Sequence, residues 1–174
     1  PWIADLNVYF AVGLDYLSVL LLFLTLLLAF VCVLVSWREI KSNQGFYYFN
    51  LLIAIAGIIG VFTATDMFLF FVFWEVMLLP ITALIAIWGH ENRIFAAIKF
   101  FIFTQASSLL MLAAIIFLAF SAKTKYGELS FNYFELLALN LPPETAFWLM
   151  LGFFIAFAVK LPSVPVHSWL PDAH

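Results

Sequence analysis

Glu75 and Lys160 stand in apolar runs, with Phe-Trp before the acid and Ala-Val before the base. An ionisable group at membrane depth is costly and usually functional. At ~1.5 Å per helical residue, Glu75 lies roughly 13 Å beyond Asp66 and roughly 20 Å short of Trp88, close to mid-membrane. Its carboxylate stem is too short to snorkel from there to water. The helical neighbours Phe71, Val72, Leu78 and Leu79 offer no countercharge. Three states stand open: a neutral hydrogen-bonded glutamate, a carboxylate facing internal water, or one meeting a cation on another helix.

Lys160 is the matching cation, about 14 residues into its run and hence roughly 20 Å from its start. No acid lies within one turn. A lysine so placed can exchange a proton near neutral pH; the alternative is a stem that snorkels to the membrane edge. Pro162 has no N–H for the carbonyl of Ala158, and Pro165 leaves that of Leu161 without its helical donor. The expectation is a broken helix, which at depth survives only where protein or a water-filled cavity meets the backbone. Such breaks recur beside ionisable residues in transporters, although a plain proline kink for packing is the other reading. A carboxylate and an ammonium at ~4 Å, in an effective dielectric of ~20, attract by about 4 kcal/mol. That is enough to shift a proton equilibrium by a few powers of ten.

Other polar residues admit two readings each. Lys99 is a snorkelling anchor or an internal relay. Thr104, Ser107 and Ser108, with Gln105 nearby, serve helix packing or hold water for proton transfer. His90 belongs to a short polar loop and reads as a solvated end residue. His167 and His174 flank Ser168-Trp169-Leu170-Pro171-Asp172-Ala173; they exchange protons with water or cap the second half of the broken helix.

The elements that position these residues follow from composition. Of 174 residues, 67% are hydrophobic and 10% charged, with 22 Phe, and the mean hydropathy is +1.14. A soluble domain carries roughly a quarter charged residues, so the bilayer must solvate most of this chain. The small net charge of −3 and the lack of a basic stripe argue against nucleic acid as a partner. The single Cys32 is expected to pack, and no Cys/His spacing suggests zinc, haem or an iron–sulfur cluster. Pro1 opens the chain without a basic leader, and the first apolar run is too long for a signal peptide. Both ends read as truncated.

Spans are expected at about 14–37, 46–63, 66–88, 94–120 and 146–161, the last with a broken continuation to 174, in a single transmembrane domain over 1–174. Each run approaches the ~20 residues that cross a ~30 Å hydrocarbon core. Ala56 and Gly60 form a small-xxx-small pair for helix contact. Residues 131–139 read as an interfacial amphipathic segment. Loops carrying Arg38, Lys41 and Arg93 fall on one side, and Lys123 and Lys125 on the other; the first side is expected to be cytoplasmic.

The stretch Phe73-Trp74-Glu75-Val76-Met77-Leu78-Leu79-Pro80 resembles a segment of the antiporter-like subunits of respiratory NADH–quinone oxidoreductase (complex I), the family of chain M and mitochondrial subunit 4. Ile87-Trp88-Gly89-His90 and the run Lys99–Ser107 resemble it too. So do Gly152–Pro162, Val164-Pro165-Val166-His167 and Trp169–His174. The resemblance covers nearly the whole chain. It implies an all-α polytopic transmembrane helix bundle, part of an inverted-repeat fold with a broken final helix. The five spans would be the family's third to seventh helices, and a further lysine-bearing helix and the second repeat would lie beyond His174.

By the same resemblance, Glu75 and Lys160 are the ion pair that gates proton transfer; Lys99, His167 and His174 are candidate relays on the reading of the residues alone. No cofactor or metal is expected on this chain; NADH, FMN, iron–sulfur clusters and quinone are expected on other subunits. The expected partners are other membrane subunits of complex I and the lipid bilayer. The expected location is a bacterial inner (plasma) membrane, ahead of a mitochondrial inner membrane. The alternative function is a subunit of a multisubunit sodium/proton antiporter, and a third reading is a spacer without transport. The isolated piece is expected not to translocate protons.

Overall fold

In the computed structural model, which describes residues 1–173, the apolar runs are helices. They are α1 (Tyr16–Glu39), α2 (Gln44–Thr63), α3 (Met67–Val76), α4 (Leu78–Trp88), α5 (Arg93–Tyr126), α6 (Tyr133–Leu137), α7 (Pro143–Lys160) and α8 (Leu170–Ala173). With α3 and α4 taken together, five spans are long and apolar enough to cross a membrane. The all-α, polytopic architecture agrees with the expectation. His174 lies outside the described residues.

The third span is interrupted, which periodicity alone did not reveal. Pro80 has no N–H for the carbonyl of Val76, and its ring crowds that turn. The flanking bonds stretch, with Met77 N–H to the Phe73 carbonyl at 3.4 Å and Ile81 N–H to the Met77 carbonyl at 3.3 Å. Met77 is thus a hinge between α3 and α4. The fourth span continues beyond the expected 120 to Tyr126. Its 34 residues cover ~51 Å at ~1.5 Å each, more than the ~30 Å of hydrocarbon. Lys123 and Lys125 occupy its last turn, where cations complement the helix dipole.

The α2 contact with the hinge uses a different register from the one expected. Ala56 is exposed, whereas Gly57 and Gly60 are buried. A Cβ on Gly57 would stand 2.9 Å from Met77 Cβ and 3.2 Å from the Phe73 carbonyl, and one on Gly60 would strike the Phe73 ring. Only bare backbone allows this approach. By contrast, α1 packs mainly along α2, where Ser36 Oγ and Tyr47 Oη share a hydrogen bond of 2.8 Å. Cys32 is therefore exposed on an outward face, not the packing residue expected.

At the end carrying Lys123, three separate stretches are laced together through their backbones. Asn7 Nδ2 donates to the Leu129 carbonyl at 2.8 Å. The N–H groups of Gly13 and Thr65 reach the carbonyls of Thr63 and Ala11, while those of Met67 and Tyr133 reach Phe131 and Thr65. Asp66, only 2% exposed, anchors this lacing. Its Oδ1 accepts from Phe68 and Leu69 N–H at 2.9 and 3.0 Å, and its Oδ2 accepts from Tyr9 N–H at 3.0 Å. Asn132 caps α6 in the same way, and Tyr133, Phe134 and Leu137 lie exposed beside it. Asp66→Ala leaves three donors unmet, one buried and two part-buried, and is expected to cost about 2 kcal/mol. Thermal unfolding of the purified complete protein checks this; an unchanged midpoint would show that water replaces the carboxylate.

Candidate functional site

Two buried clusters meet around the hinge. One gathers Val8, Trp74, Met77, Met111, Ile115 and Ala156 among its members; the other joins Leu78, Phe100, Val159 and Trp169. Glu75 sits between them, in the last turn of α3, one residue before the helix closes at Val76. Its Oε1 is enclosed and has no hydrogen-bond partner. A buried polar atom without a partner is uncommon in proteins and points to strain, an unseen water or a functional group. The hinge explains how the acid is held there. Trp74 and Met77 are buried on either side of it while Val76 and Leu79 face out.

Lys160 is the last residue of α7, 17 residues after Pro143 and so ~26 Å along the helix. Its ammonium lies over the Trp74 ring, 4.9 Å from the centroid. The same ring meets Phe157 at 5.5 Å and Phe70 at 5.8 Å. A cation on a partly desolvated aromatic face gains ~1–2 kcal/mol. Among the described residues no ion pair joins Lys160 to Glu75; the one such bridge joins Lys99 to Asp172. The ~4 kcal/mol contact expected for a pair at ~4 Å is therefore not made in this arrangement. Trp74, directly before Glu75 in sequence, stands in the acid's place, so the two titratable groups share a neighbourhood without touching.

The break after Lys160 differs in detail from the expectation. The Ala158 carbonyl is not left free, because Ser163 N–H bonds it at 2.8 Å. Ser163 would ordinarily serve Val159, whose carbonyl instead accepts from the Trp169 indole N–H at 2.9 Å. These two carbonyls are thus satisfied by protein, one of the two ways in which such a break persists.

Lys99 is engaged by the segment after the break. Its Nζ donates to Asp172 Oδ2 at 2.7 Å and to the Ser168 carbonyl at 2.6 Å. Both acceptors lie more than sixty positions away in sequence, and nothing local announced them. His167 follows the break; its Nδ1 is buried and unpartnered, a second orphan near the site. Thr104, Ser107 and Ser108 are buried and return their hydroxyls to carbonyls of their own helix, which fits the packing reading. The relay proposed for His174 lies outside the described residues.

A cavity of about 860 Å³ lies elsewhere, at the laced end, walled by Asp15, Thr63, Met67, Tyr133 and Phe153 among others. Neither Glu75 nor Lys160 lines it. Phe70 and Phe157 belong both to its wall and to the aromatic group around Trp74, so these two rings stand between the cavity and the lysine's platform. The sequence alone missed the part played by Trp74. An indole immediately before a buried acid was the available signal.

A family model described as "NADH:quinone oxidoreductase/Mrp antiporter, TM" matches residues 64–174. The chain is 53% identical to NADH-quinone oxidoreductase subunit M of Pseudomonas aeruginosa, covering 99% of this chain and 35% of that protein. It is 52% identical to the subunit of the same name from Escherichia coli K12, covering 100% of this chain and 35% of the relative. NAD(P)H-quinone oxidoreductase chain 4 of Gloeobacter violaceus is 39% identical, with coverage of 99% and 32%. In the solved structure of respiratory complex I from Thermus thermophilus with bound NADH, one chain superposes with a TM-score of 0.86 at 38% identity. That match covers 100% of this chain and 35% of the other. The chain thus spans about a third of the length of the curated relatives it matches.

Proposed function

We infer the function from a single premise: this chain belongs to the NADH:quinone oxidoreductase/Mrp antiporter transmembrane family. The protein containing it is a proton-translocating membrane subunit of NADH–quinone oxidoreductase, seated in a bacterial inner membrane among other membrane subunits of that complex. Relatives carrying the subunit M name at 52–53% identity support the redox-coupled reading over a free-standing sodium/proton antiporter. NADH, FMN, iron–sulfur clusters and quinone belong to other subunits, so this polypeptide contributes transport to an oxidoreductase and carries out no redox step itself.

The observation that carries the transport reading is Glu75. A carboxyl oxygen is enclosed without a partner on a helix that hinges two residues later, next to the indole that holds Lys160. Because the hinge and the break already mark two adjacent helices, small changes in either alter the distance between acid and base. Coulomb attraction varies inversely with that distance and with the local dielectric. An approach of Glu75 stabilises the protonated lysine, and its withdrawal releases the proton to internal water. Glu75 thus acts as the gating carboxylate and Lys160 as the proton-carrying group.

Tagging the complete protein and purifying its complex from membranes tests the assignment. The expected result is co-purification of an NADH-oxidising, quinone-reducing arm, with proton uptake into vesicles driven by NADH. A complex without that arm, exchanging sodium for protons unaided, would replace this reading by the antiporter one.

A further inference from the structure

The segment after the break is tied down at several points, and Lys99 makes two of the ties. Pro162 forces Ser163 N–H onto the Ala158 carbonyl, which deprives Val159 of its helical donor. The Trp169 indole fills that vacancy at 2.9 Å, directly beside Lys160 in sequence. This bond can form only while residues 161–173 lie folded back on the bundle. Lys99 supplies the fastening: its ammonium holds Asp172 and the Ser168 carbonyl, one on each side of Trp169. The next residue, Phe100, meets the Trp169 ring edge-on at 5.0 Å.

We propose that Lys99 and Asp172 form a latch that seats Trp169 against Val159 and so positions the Lys160 ammonium on Trp74. Lys99 is then a positioning residue rather than a carrier. An ammonium already engaged by a carboxylate and a carbonyl is held in place by charge-assisted bonds, whereas a relay must release its proton in each cycle. The inference rests on the reading of Lys160 as the proton-carrying group. The alternating contacts Lys99–Ser168, Trp169–Val159 and Lys99–Asp172 form a closed loop through α5, α7 and α8, so loosening one frees the others.

The test uses the complete subunit assembled in its membrane complex. In a Lys160→Cys background, reaction of the cysteine with a water-soluble maleimide reports on local opening. Adding Lys99→Met is expected to speed labelling by about tenfold, as expected when a local closing interaction is removed. Asp172→Asn gives the same direction and serves where Lys99→Met does not assemble. With Lys160 intact, Lys99→Met lowers proton translocation severalfold. Lys99→Arg keeps most of it, because a guanidinium can reach both acceptors, and the exchange K99D/D172K restores a substantial part. Unchanged labelling overturns the latch, whatever translocation does. Faster labelling with full translocation overturns the positioning role. Lys160→Leu is run alongside, and full translocation there removes the functional reading while the labelling result still judges the latch.

Discussion

Lys160→Leu in the complete, assembled subunit brings proton translocation to background without lowering the unfolding temperature. What the lysine does for transport is separable from what it costs the fold. Leucine fills the aliphatic part of the lysine stem and keeps contact with the Trp74 face, giving up a cation–π attraction of ~1–2 kcal/mol. It also removes the penalty for holding a charge away from water, which is commonly of several kcal/mol. Stability is therefore expected to be level or slightly raised. Among the described lysines transport has no such substitute: Lys99 is engaged by Asp172, Lys123 and Lys125 lie in the last turn of α5, and Lys41 lies in the loop between α1 and α2. Dye quenching in inverted vesicles reads translocation. NADH oxidation with a soluble acceptor reads the integrity of the rest of the complex. Full translocation in this variant would remove Lys160 from the pathway.

Glu75→Leu should likewise stop translocation while making the protein more stable. The enclosed Oε1 has no partner, and a buried unsatisfied group costs ~1–3 kcal/mol. Replacing it by a methyl of similar position removes that cost, so a gain of about 1–2 kcal/mol is expected. Glu75→Gln separates charge from volume. It keeps the shape and a carbonyl oxygen but cannot become an anion, so the field at Lys160 no longer switches. Each ~1.4 kcal/mol lost from that coupling is tenfold in a proton equilibrium, and a drop of about tenfold in translocation is expected. Stability that rises while transport falls is the signature of a residue kept for function at the fold's expense. If both leucine variants translocate at full rate, the chain is a spacer in its complex.

Much of the architecture was readable from the residues alone, and the gaps have physical causes. Long apolar runs place helices reliably because length and oiliness suffice, and three of the expected spans agree with α1, α2 and α7 to within about three residues. Orientation about a helix axis is another matter. When a helix is apolar all round, hydropathy marks no inner face, and Ala56 was paired with Gly60 although Gly57 makes the contact. The hinge at Met77 went unread because Pro80 sits in an otherwise continuous run. Glu75 and Lys160 were legible as misplaced charges, and the break after Lys160 as a proline pattern. Their relation was not: a sequence gives no distance between helices, and the aromatic ring that receives the ammonium comes from the residue beside the acid. The partner of Lys99 lies 73 positions away, beyond any local pattern. Which donor meets the Ala158 carbonyl was likewise illegible: Ser163, one residue further along, bends back to it.

The lacing around Asp66 also sets an order on biosynthesis. Residues 7–13 find their partners in two places, at 63–66 and at 129, and the second becomes available only after four hydrophobic segments have passed into the bilayer. During translation residues 7–13 must wait, with Val8 unable to reach the buried place it later fills. The emergence of the stretch around Phe131 closes the knot. Errors in the threading of any earlier segment would leave Phe131 on the wrong side of the bilayer and the knot untied, so this fastening works as a built-in check on correct membrane insertion.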